Sequence, residues 1–561
     1  MDSFLALFDP GPSTPTFGGG EIWPEDDEEG GQLPPEPQMG NVEYKLKLVT
    51  PSKLRFEHLV TQLKWRLREG RGEAIYEIGV EDTGLLTGLS EQDMLESIQT
   101  LDQMALKLGA TITVLRERLV EGDKKVAEVL VRKVPDDASN IELRVAVMGS
   151  GDAGKSTLLG VLTQGALDNG RGRARLNMFR HLHEIRSGRT SSISHEVLGF
   201  DSRGGVVNYS EAVTAEEICE NSTKLVTFLD LAGHRKYLRT TVAGLSGYSP
   251  HHVLLVISAA AGVVGMTHEH LALAMALETP FFVVITKIDL TNEEEAVLSR
   301  VQAVLTSAAC RRIPFVVRTE DDVITASSNQ LADNIVPIFC VSSVSGRGLD
   351  LLSRFLYVLP PGVSIKERER LEQEVCEFQI DETFKVPEVG LVVGGLLTRG
   401  VITEGAPLYI GPNDRGDFTP VTVTSLHRNK APCRIVRASQ AASLCLSPSL
   451  SHIRHGMVLL GRETPKSACL FFQASIVVLF HSTQINKGFQ TTVHIGNIRQ
   501  TAVIEGILGS DAGLSGIHTN DSASVMFRFV RHPEYVREGM RLLFREGMTK
   551  GIGKITQVFP L

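Results

Sequence analysis

Cysteine is scarce in this chain of 561 residues, and the few present are scattered. The seven cysteines stand singly, so none has the close spacing of a zinc site, and an odd, dispersed set argues against a disulfide framework. Long apolar runs are also missing: the longest, Val253 to Met266, covers about 14 residues, whereas a membrane span needs about 20. The N-terminus lacks the basic segment of a secretory signal. These absences predict a reducing, cytoplasmic location and no membrane partner.

Basic side chains are absent from residues 1–40, which contain nine acidic residues together with seven prolines and seven glycines. Such a segment buries too little apolar surface to offset the entropy lost on ordering, so we predict a disordered acidic tail. The remaining 57 acidic residues (66 less these nine) match the 57 basic ones, so the net charge of −9 resides in the tail. The charge of the rest neither favours nor excludes a basic surface for nucleic acid.

Hydrophobic periodicity divides the rest of the chain into four parts. Residues 42–136 alternate strand-like and amphipathic helical segments and predict a small α+β module without a catalytic constellation, for which we expect a role in recognition or regulation. Residues 141–362 contain continuous apolar runs separated by helical patterns, typical of a doubly wound α/β domain. Residues 370–462 and 468–561 show short alternating strands with glycine-rich turns, which predict two all-β barrel domains.

A complete phosphate-binding loop opens the α/β domain. The motif GxxxxGK[ST] lies between the strand-like segment ELRVAVM and a helical segment, which is the context that the motif requires. Backbone N–H groups of such a loop cradle phosphate oxygens, Lys155 brings a positive charge to the outer phosphates, and the Ser156 hydroxyl ligates magnesium. The predicted nucleotide contacts in this loop are Gly149, Ser150, Gly151, Asp152, Ala153, Gly154, Lys155 and Ser156.

Three later motifs, each at the end of a predicted strand, indicate which nucleotide is bound. In DLAGH, Asp230 can hold magnesium through a water, and the Gly233 N–H can contact the γ-phosphate. In TKID, the Asp289 carboxylate can accept from N1–H and N2–H₂ of guanine, a pair of donors that adenine lacks. The turn after VPIFCV can contact guanine O6. Each motif alone is weak, but their order predicts a site for GTP and Mg²⁺. The residues that they contribute are Asp230, Gly233, Thr286, Lys287, Asp289, Ser342, Ser343 and Val344.

These motifs, together with the segments GLVVGGLLTRGVITEGAPLYIGP and EGMRLLFREGMTKGIGKITQVFPL, resemble the translational GTPase superfamily that includes elongation factor Tu, over roughly residues 141–561. The resemblance implies a GTP phosphohydrolase in which His234 orients the attacking water once the ribosome engages. A histidine directly after DxxG is also suited to this role on chemical grounds. The resemblance further implies a threonine that completes the magnesium coordination. Thr190 aligns best, although Ser191 and Ser192 are adjacent.

The resemblance also implies partners. These would be the ribosome and a tRNA, or a tRNA-mimicking protein factor, in elongation, stalling rescue or surveillance, with no DNA. No arginine of the motifs can be assigned to the phosphates, so we expect stimulation by a large partner. Thr286 stands where the family usually has asparagine, which predicts weaker nucleotide binding or faster exchange. The alternative is a GTP-regulated scaffold for RNA-handling proteins without a delivery role. A second, more remote alternative is a subunit of a sulfate-activating enzyme.

Overall fold

The computed structural model describes residues 33–70, 72–120, 122–133, 141–291, 294–329, 334–360, 365–386, 390–428, 431–448, 452–508, 516–547 and 549–561. The predicted multi-domain fold class is confirmed: an α+β module precedes an α/β domain, and two all-β barrel domains follow. The domain boundaries drawn from the sequence stay predictions. Within the residues described, no helix is both long and apolar enough to cross a membrane.

The N-terminal module packs two helices on a four-stranded sheet. Its elements are β1 (Val42–Lys45), α1 (Lys53–Glu69), β2 (Glu73–Ile78), α2 (Glu91–Lys107), β3 (Ala110–Leu119) and β4 (Lys125–Lys133). The strand order is β1-β2-β4-β3, and β3 and β4 form an antiparallel pair. Leu63 of α1 and Leu101 of α2 are fully buried in the core, because helical spacing places the apolar residues of each helix on one face.

Part of the segment predicted as a disordered tail is instead held against this module. Leu33 donates its backbone N–H to Gly84 O (2.9 Å), and the Arg66 guanidinium pairs with Glu36 (2.5 Å) and donates to Pro37 O (3.1 Å). Composition predicts the wrong state for residues 33–40 because the partner, a buried arginine about 30 residues away, is not visible in the local sequence. Residues 1–32 of the predicted tail lie outside the described residues.

The α/β domain is built on a mixed eight-stranded sheet. Its strands are β5 (Ile141–Gly149), β6 (Ser194–Phe200), β7 (Val206–Val207), β8 (Lys224–Asp230), β9 (His252–Ser258), β10 (Phe281–Thr286), β11 (Ile313–Val316) and β12 (Ile335–Cys340). Its helices are α3 (Lys155–Gln164), α4 (Leu182–Ser187), α5 (Ala215–Glu220), α6 (Leu238–Gly247), α7 (Gly265–Ala276), α8 (Glu294–Thr306), α9 (Glu320–Asn329) and α10 (Leu349–Val358). The strand order is β11-β12-β10-β9-β5-β8-β6-β7.

This strand order determines where the sequence motifs meet. Every residue of β8, β9 and β10 is buried, as the continuous apolar runs of β9 and β10 predict. Strand β5 runs parallel to both β8 and β9, and β10 runs parallel to both β9 and β12. Strand β6 differs, because it forms a hairpin with β7 and pairs antiparallel with β8. The carboxyl ends of the parallel strands share one edge of the sheet, and the segments after β5, β8, β10 and β12 lie at that edge.

Two β-barrels follow α11 (Ile365–Gln373). The strands of the first are β13 (Glu377–Val386), β14 (Gly390–Arg399), β15 (Val401–Thr403), β16 (Pro407–Gly411), β17 (Thr419–Arg428), β18 (Ala431–Cys433), β19 (Ile435–Arg437), β20 (Gln440–Ser447) and β21 (Val458–Leu460). Its main sheet has the order β16-β21-β13-β14-β20-β17-β18, and the pairing of β16 with β17 joins its two sides. The short strands β15 and β19 pair separately.

The C-terminal barrel is fully closed. Its strands are β22 (Cys469–Phe480), β23 (Gln490–Ile495), β24 (Ile498–Leu508), β25 (Ser522–Phe529), β26 (Arg541–Glu546) and β27 (Thr549–Pro560). They follow one another around the barrel in the order β22-β25-β24-β23-β26-β27, and β27 pairs with β22 to close it. Alternate residues point inward, and Phe472, Phe527 and Phe544 are fully buried in its core.

Candidate functional site

The phosphate loop connects β5 to α3, and its lysine is buried at the loop's inner wall. Lys155 is 6% exposed, and its Nζ donates to the carbonyl oxygens of Gly149 (3.1 Å) and Ser150 (3.0 Å). Burial lowers the pKa of this ammonium group, and the nearby Asp230 carboxylate opposes the shift. The loop carbonyls thus hold the Lys155 ammonium group at the N-terminus of α3. The backbone N–H groups of this terminus and the ammonium both attract an anion. This arrangement can receive the phosphates of a nucleotide.

A hydroxyl–carboxylate cluster of Ser156, Thr190 and Asp230 lies beside the loop. Ser156 Oγ donates to Asp230 Oδ2 (2.5 Å) and lies 2.9 Å from Thr190 Oγ1. Asp230 is fully buried, and its Oδ1 has no hydrogen-bond partner among the described residues. Burial raises the pKa of this carboxyl, while Lys155 lowers it. A buried, unpaired carboxylate oxygen beside two hydroxyls fits a hard cation such as Mg²⁺, which takes oxygen ligands.

Glu184 determines which of three adjacent hydroxyls faces this cluster. Its Oε1 accepts from the backbone N–H and the hydroxyl of both Ser191 (2.6 and 2.7 Å) and Ser192 (2.9 and 3.0 Å). Burial raises the pKa of the Glu184 carboxyl, but these hydrogen bonds outweigh it and bring the pKa to about 2. Because both serines are engaged by this carboxylate, Thr190 is the hydroxyl of the three that reaches the cluster. Its role as a metal ligand stays a prediction.

Gly233 and His234 form another wall of the same cavity. A Cβ atom at Gly233 would collide with Lys155 Nζ and with carbonyl oxygens of the phosphate loop, so only glycine lets the backbone come this close. His234 Nδ1 accepts from the Lys236 backbone N–H (3.2 Å). The neutral ring then carries its proton on Nε2 and can donate there. A ring N–H at this wall can hold a water near the outermost phosphate.

Thr286 connects the base-recognition motif to the phosphate loop. Its hydroxyl donates to Ala153 O (2.6 Å), and Lys287 Nζ donates to Asp152 O (2.7 Å). Thr286 is 2% exposed, so its hydroxyl has no competing water. The asparagine expected here would brace the same loop, and the threonine keeps that contact with a shorter side chain. Whether nucleotide affinity is weaker stays a prediction.

Asp289 and the turn after β12 lie together at the edge of the site. Ser342 Oγ donates to Asp289 Oδ1 (2.5 Å) and accepts from the Val344 backbone N–H (3.2 Å). The Ser343 carbonyl accepts from the Asp168 N–H (2.9 Å), which joins this turn to the segment after α3. Asp289 itself is exposed and remains able to accept from two neighbouring N–H donors. The structure thus gathers the residues predicted to recognise the base at one point, next to the phosphate loop.

Two residues of the site were missed by sequence reasoning. The only signal for Glu184 was its position three residues after His181, the N-cap of α4. Arg175 lines the phosphate cavity together with Arg189. It is one of six arginines between residues 171 and 189, and nothing in the sequence distinguishes it from the others.

The fold and the site together define a GTPase of the elongation-factor type. The model of the elongation factor Tu GTP binding domain matches residues 141–361. GTP-binding protein 2 of Homo sapiens is 56% identical over 534 residues, covering 94% of this chain and 88% of its own length. GTP-binding protein 1 of Xenopus laevis is 46% identical over 525 residues, covering 92% and 79%. The S. cerevisiae Ski7 GTPase-like domain, solved bound to GTP, has the same fold at 14% identity, with a TM-score of 0.56 over 75% of this chain and 98% of that one.

The chain therefore belongs to the family of GTP-binding protein 2 and GTP-binding protein 1, within the translational GTPases. The predicted resemblance and the predicted GTPase activity are confirmed at this level.

Proposed function

We propose that this GTPase is a cytoplasmic, ribosome-stimulated translation factor that delivers or positions a tRNA or a tRNA-mimicking protein factor in elongation, stalling rescue or surveillance. The observation that carries the proposal is the place of His234. It lies on the wall of the phosphate cavity and immediately precedes the turn that leads into α6, and α6 packs against β23 of the C-terminal barrel. His234, whose ring is suited to orienting a water, is thereby connected through α6 to the C-terminal barrel, which a large partner could move.

The reaction is hydrolysis of GTP by in-line attack of water. The water oxygen bonds to the γ-phosphorus, and the bond to the β–γ bridging oxygen breaks with its electron pair left on GDP. One water proton passes to the released phosphate and the other to solvent. His234 donates from Nε2 to hold the water, and the Lys155 ammonium with the loop N–H groups stabilises the phosphate charge.

Magnesium belongs to this proposal. In the described ranges, no group of three or more His, Cys, Asp or Glu side chains could hold a metal by itself, so a cation here needs hydroxyl and phosphate ligands as well. Ser156, Thr190 and Asp230 are the residues that would hold it. Bound Mg²⁺ would neutralise charge on the outer phosphates. Guanine would be read by Asp289, with Thr286, Lys287 and the turn of Ser342, Ser343 and Val344 around it.

The way α6 is held supports stimulation by a partner. Its first turn carries Arg239, which pairs with Glu546 of the C-terminal barrel (3.2 Å) across two half-exposed side chains. Such a pair contributes little stability on its own, so it opposes a movement of α6 and the His234 turn only weakly when a partner binds the barrel. The same arrangement would let the nucleotide state alter what the barrels bind.

The experiment compares GTP turnover of the full chain with and without ribosomes. We expect a rate increase with ribosomes that His234→Ala removes, while the Kd for GTP stays the same, because the side chain acts on the water and not on the nucleotide. His518→Ala is the matched control, since His518 is an exposed histidine of the C-terminal barrel that does not line the phosphate cavity. If ribosomes leave the parental rate unchanged, the delivery role is wrong and the GTP-regulated scaffold is the better interpretation.

A further inference from the structure

Arg175 lies against the phosphate cavity without a carboxylate partner among the described residues. Its Nη1 donates to Gly188 O (3.2 Å), and both Arg175 and Gly188 line the cavity, together with Lys155 and His234. A guanidinium carries five N–H donors in a planar fork that matches phosphate oxygens. One backbone carbonyl uses only part of this capacity, so the rest is available to an anion in the cavity.

The backbone at Arg175 is fixed by its neighbours on both sides. The Asp168 carboxylate accepts three backbone N–H bonds of 2.9–3.0 Å from residues 170–174, which folds this segment into a tight turn. At Gly160 of α3, a Cβ atom would collide with the backbone just before Arg175, so the glycine permits close packing of the turn on the helix. Met178 is 3% exposed and is buried in the core of the α/β domain. The arginine is therefore carried by a packed turn.

We propose that Arg175 is a catalytic residue supplied in cis, donating N–H bonds to the phosphate oxygens of bound GTP. As the bond to the β–γ bridging oxygen breaks, negative charge moves toward GDP, and a guanidinium beside the phosphates stabilises that charge more in the transition state than in the ground state. The arginine keeps its protons throughout, and the overall reaction remains GTP and water to GDP, phosphate and a proton. An arginine placed in this way raises hydrolysis in other GTPases, whether it comes from the same chain or from a partner.

This inference depends on the GTPase activity and not on the ribosome. From the sequence, no arginine can be assigned to the phosphates, and stimulation by a large partner is expected. Here the chain itself supplies the positive charge. Arg189 also lines the cavity, but it is exposed, whereas Arg175 is half-buried. A purely structural role for Arg175, the hydrogen bond to Gly188, predicts a different result: it would change nucleotide affinity and thermal stability without changing the rate at saturating GTP.

The experiment measures single-turnover GTP hydrolysis by the full chain at saturating protein and without ribosomes. We expect Arg175→Ala to slow the chemical step by about 100-fold, the effect of losing one positioned donor or cation at the reacting phosphates. Arg173→Ala is the matched control: it removes an exposed arginine two residues away that does not line the cavity, and its rate should equal that of the parent.

Two further measurements separate catalysis from folding. Fluorescence titration should give the same Kd for GDP in Arg175→Ala and the parent, whereas the gain in affinity on adding aluminium fluoride, which mimics the transferring phosphoryl group, should be lost. Arg175→Gln can still donate to Gly188. If Arg175→Ala has a lower Tm than the parent, the hydrolysis rate of Arg175→Gln is therefore the measurement that tests catalysis. Parental rates in Arg175→Gln, or an equal loss of rate in Arg173→Ala, would overturn the proposal. Absence of ribosome stimulation would leave it standing, because every measurement is made without ribosomes.

Discussion

At the scale of single residues, Thr286 shows how a departure from a motif can keep the motif's physical role. The asparagine usual at this position braces the phosphate loop and contacts the base. Thr286 keeps the first contact through its buried hydroxyl, 2.6 Å from Ala153 O, and β10 places it there because its neighbours are fully buried. Threonine has no side-chain amide, so it cannot donate to the base as asparagine does. The two roles that asparagine combines are thus separated here.

This separation gives a prediction for Thr286→Val, which keeps the shape and removes the hydroxyl. The Ala153 carbonyl would lose its donor in a buried setting, which costs about 1.4 kcal/mol, or about tenfold in affinity. Because the loop binds the phosphates common to both nucleotides, we expect the Kd for GDP and for GTP to rise together in fluorescence titrations. Thr286→Ser keeps the hydroxyl and should bind as the parent does. Parental affinity in Thr286→Val would show that the loop does not need this brace.

At the scale of elements, α4 and the segment after it are organised around one carboxylate. Glu184 is fully buried within its short helix, and its two oxygens accept from residues before and after it: Oε2 from the Arg180 and His181 N–H groups, and Oε1 from Ser191 and Ser192. A pKa of about 2 keeps this carboxyl ionised at neutral pH, so it can act only as an acceptor. One helix end and the loop that follows it are therefore held as a single unit.

Replacing Glu184 with glutamine should loosen the attachment of the Ser191–Ser192 loop to α4. An amide keeps one acceptor oxygen and turns the other into a donor, so several of these N–H and O–H groups lose their partner. We expect Thr190 to become less ordered and the affinity for a non-hydrolysable GTP analogue to fall by about tenfold, with GDP affinity nearly unchanged. Glu217→Gln is the control, because Glu217 caps the comparable helix α5 by accepting from Val213 N–H (2.7 Å) away from the nucleotide. Equal losses for GDP and GTP would contradict a role through Thr190.

The same elements show what the sequence could and could not predict. Continuous apolar runs identified β9 and β10 because burial on both faces leaves no polar alternation. The choice of Thr190 over its serine neighbours stayed open, because three adjacent hydroxyls are chemically alike and the deciding carboxylate is a tertiary contact. Arg175 could not be selected from six arginines for the same reason. Local patterns give the strands and the loops between them, while side-chain partners depend on packing that no local pattern contains.

At the scale of the whole molecule, the α/β domain is held on two sides. On one side, Arg132 of the N-terminal module donates to the Tyr357 carbonyl of α10 (2.8 Å) and lies over the Tyr357 ring at 4.1 Å, with both side chains fully buried. On the other, Glu269 of α7 pairs with Arg545 (3.4 Å) and Lys550 of the C-terminal barrel. Both contacts are made by helices that flank the eight-stranded sheet. The α/β domain therefore contacts the module before it through α10 and the barrel after it through α7.

The Glu269 contact gives the last prediction. Arg545 and Lys550 are each 10% exposed, and Glu269 is 26% exposed, so water screens the cluster poorly. Glu269→Gln would remove the carboxylate that these two neighbouring cations share, which costs about 2–3 kcal/mol in a partly buried cluster. Calorimetry should then show the melting transition lowered by about 5 °C or split in two, and small-angle scattering should give a larger radius of gyration as the barrel separates.

Glu278→Gln makes the comparison sharp, because Glu278 also pairs with an arginine of the same barrel, Arg541. Those two side chains are 76% and 54% exposed. An exposed pair contributes about 0–1 kcal/mol, so this variant should melt and scatter as the parent does. If the two variants behave alike, the barrel is held by its apolar contacts, including Leu543 packed into the core beneath α7, and not by the charge cluster. If only Glu269→Gln opens the molecule, the cluster sets how firmly the C-terminal barrel is coupled to the α/β domain. A partner that binds the barrel would then have to overcome this coupling to move α6.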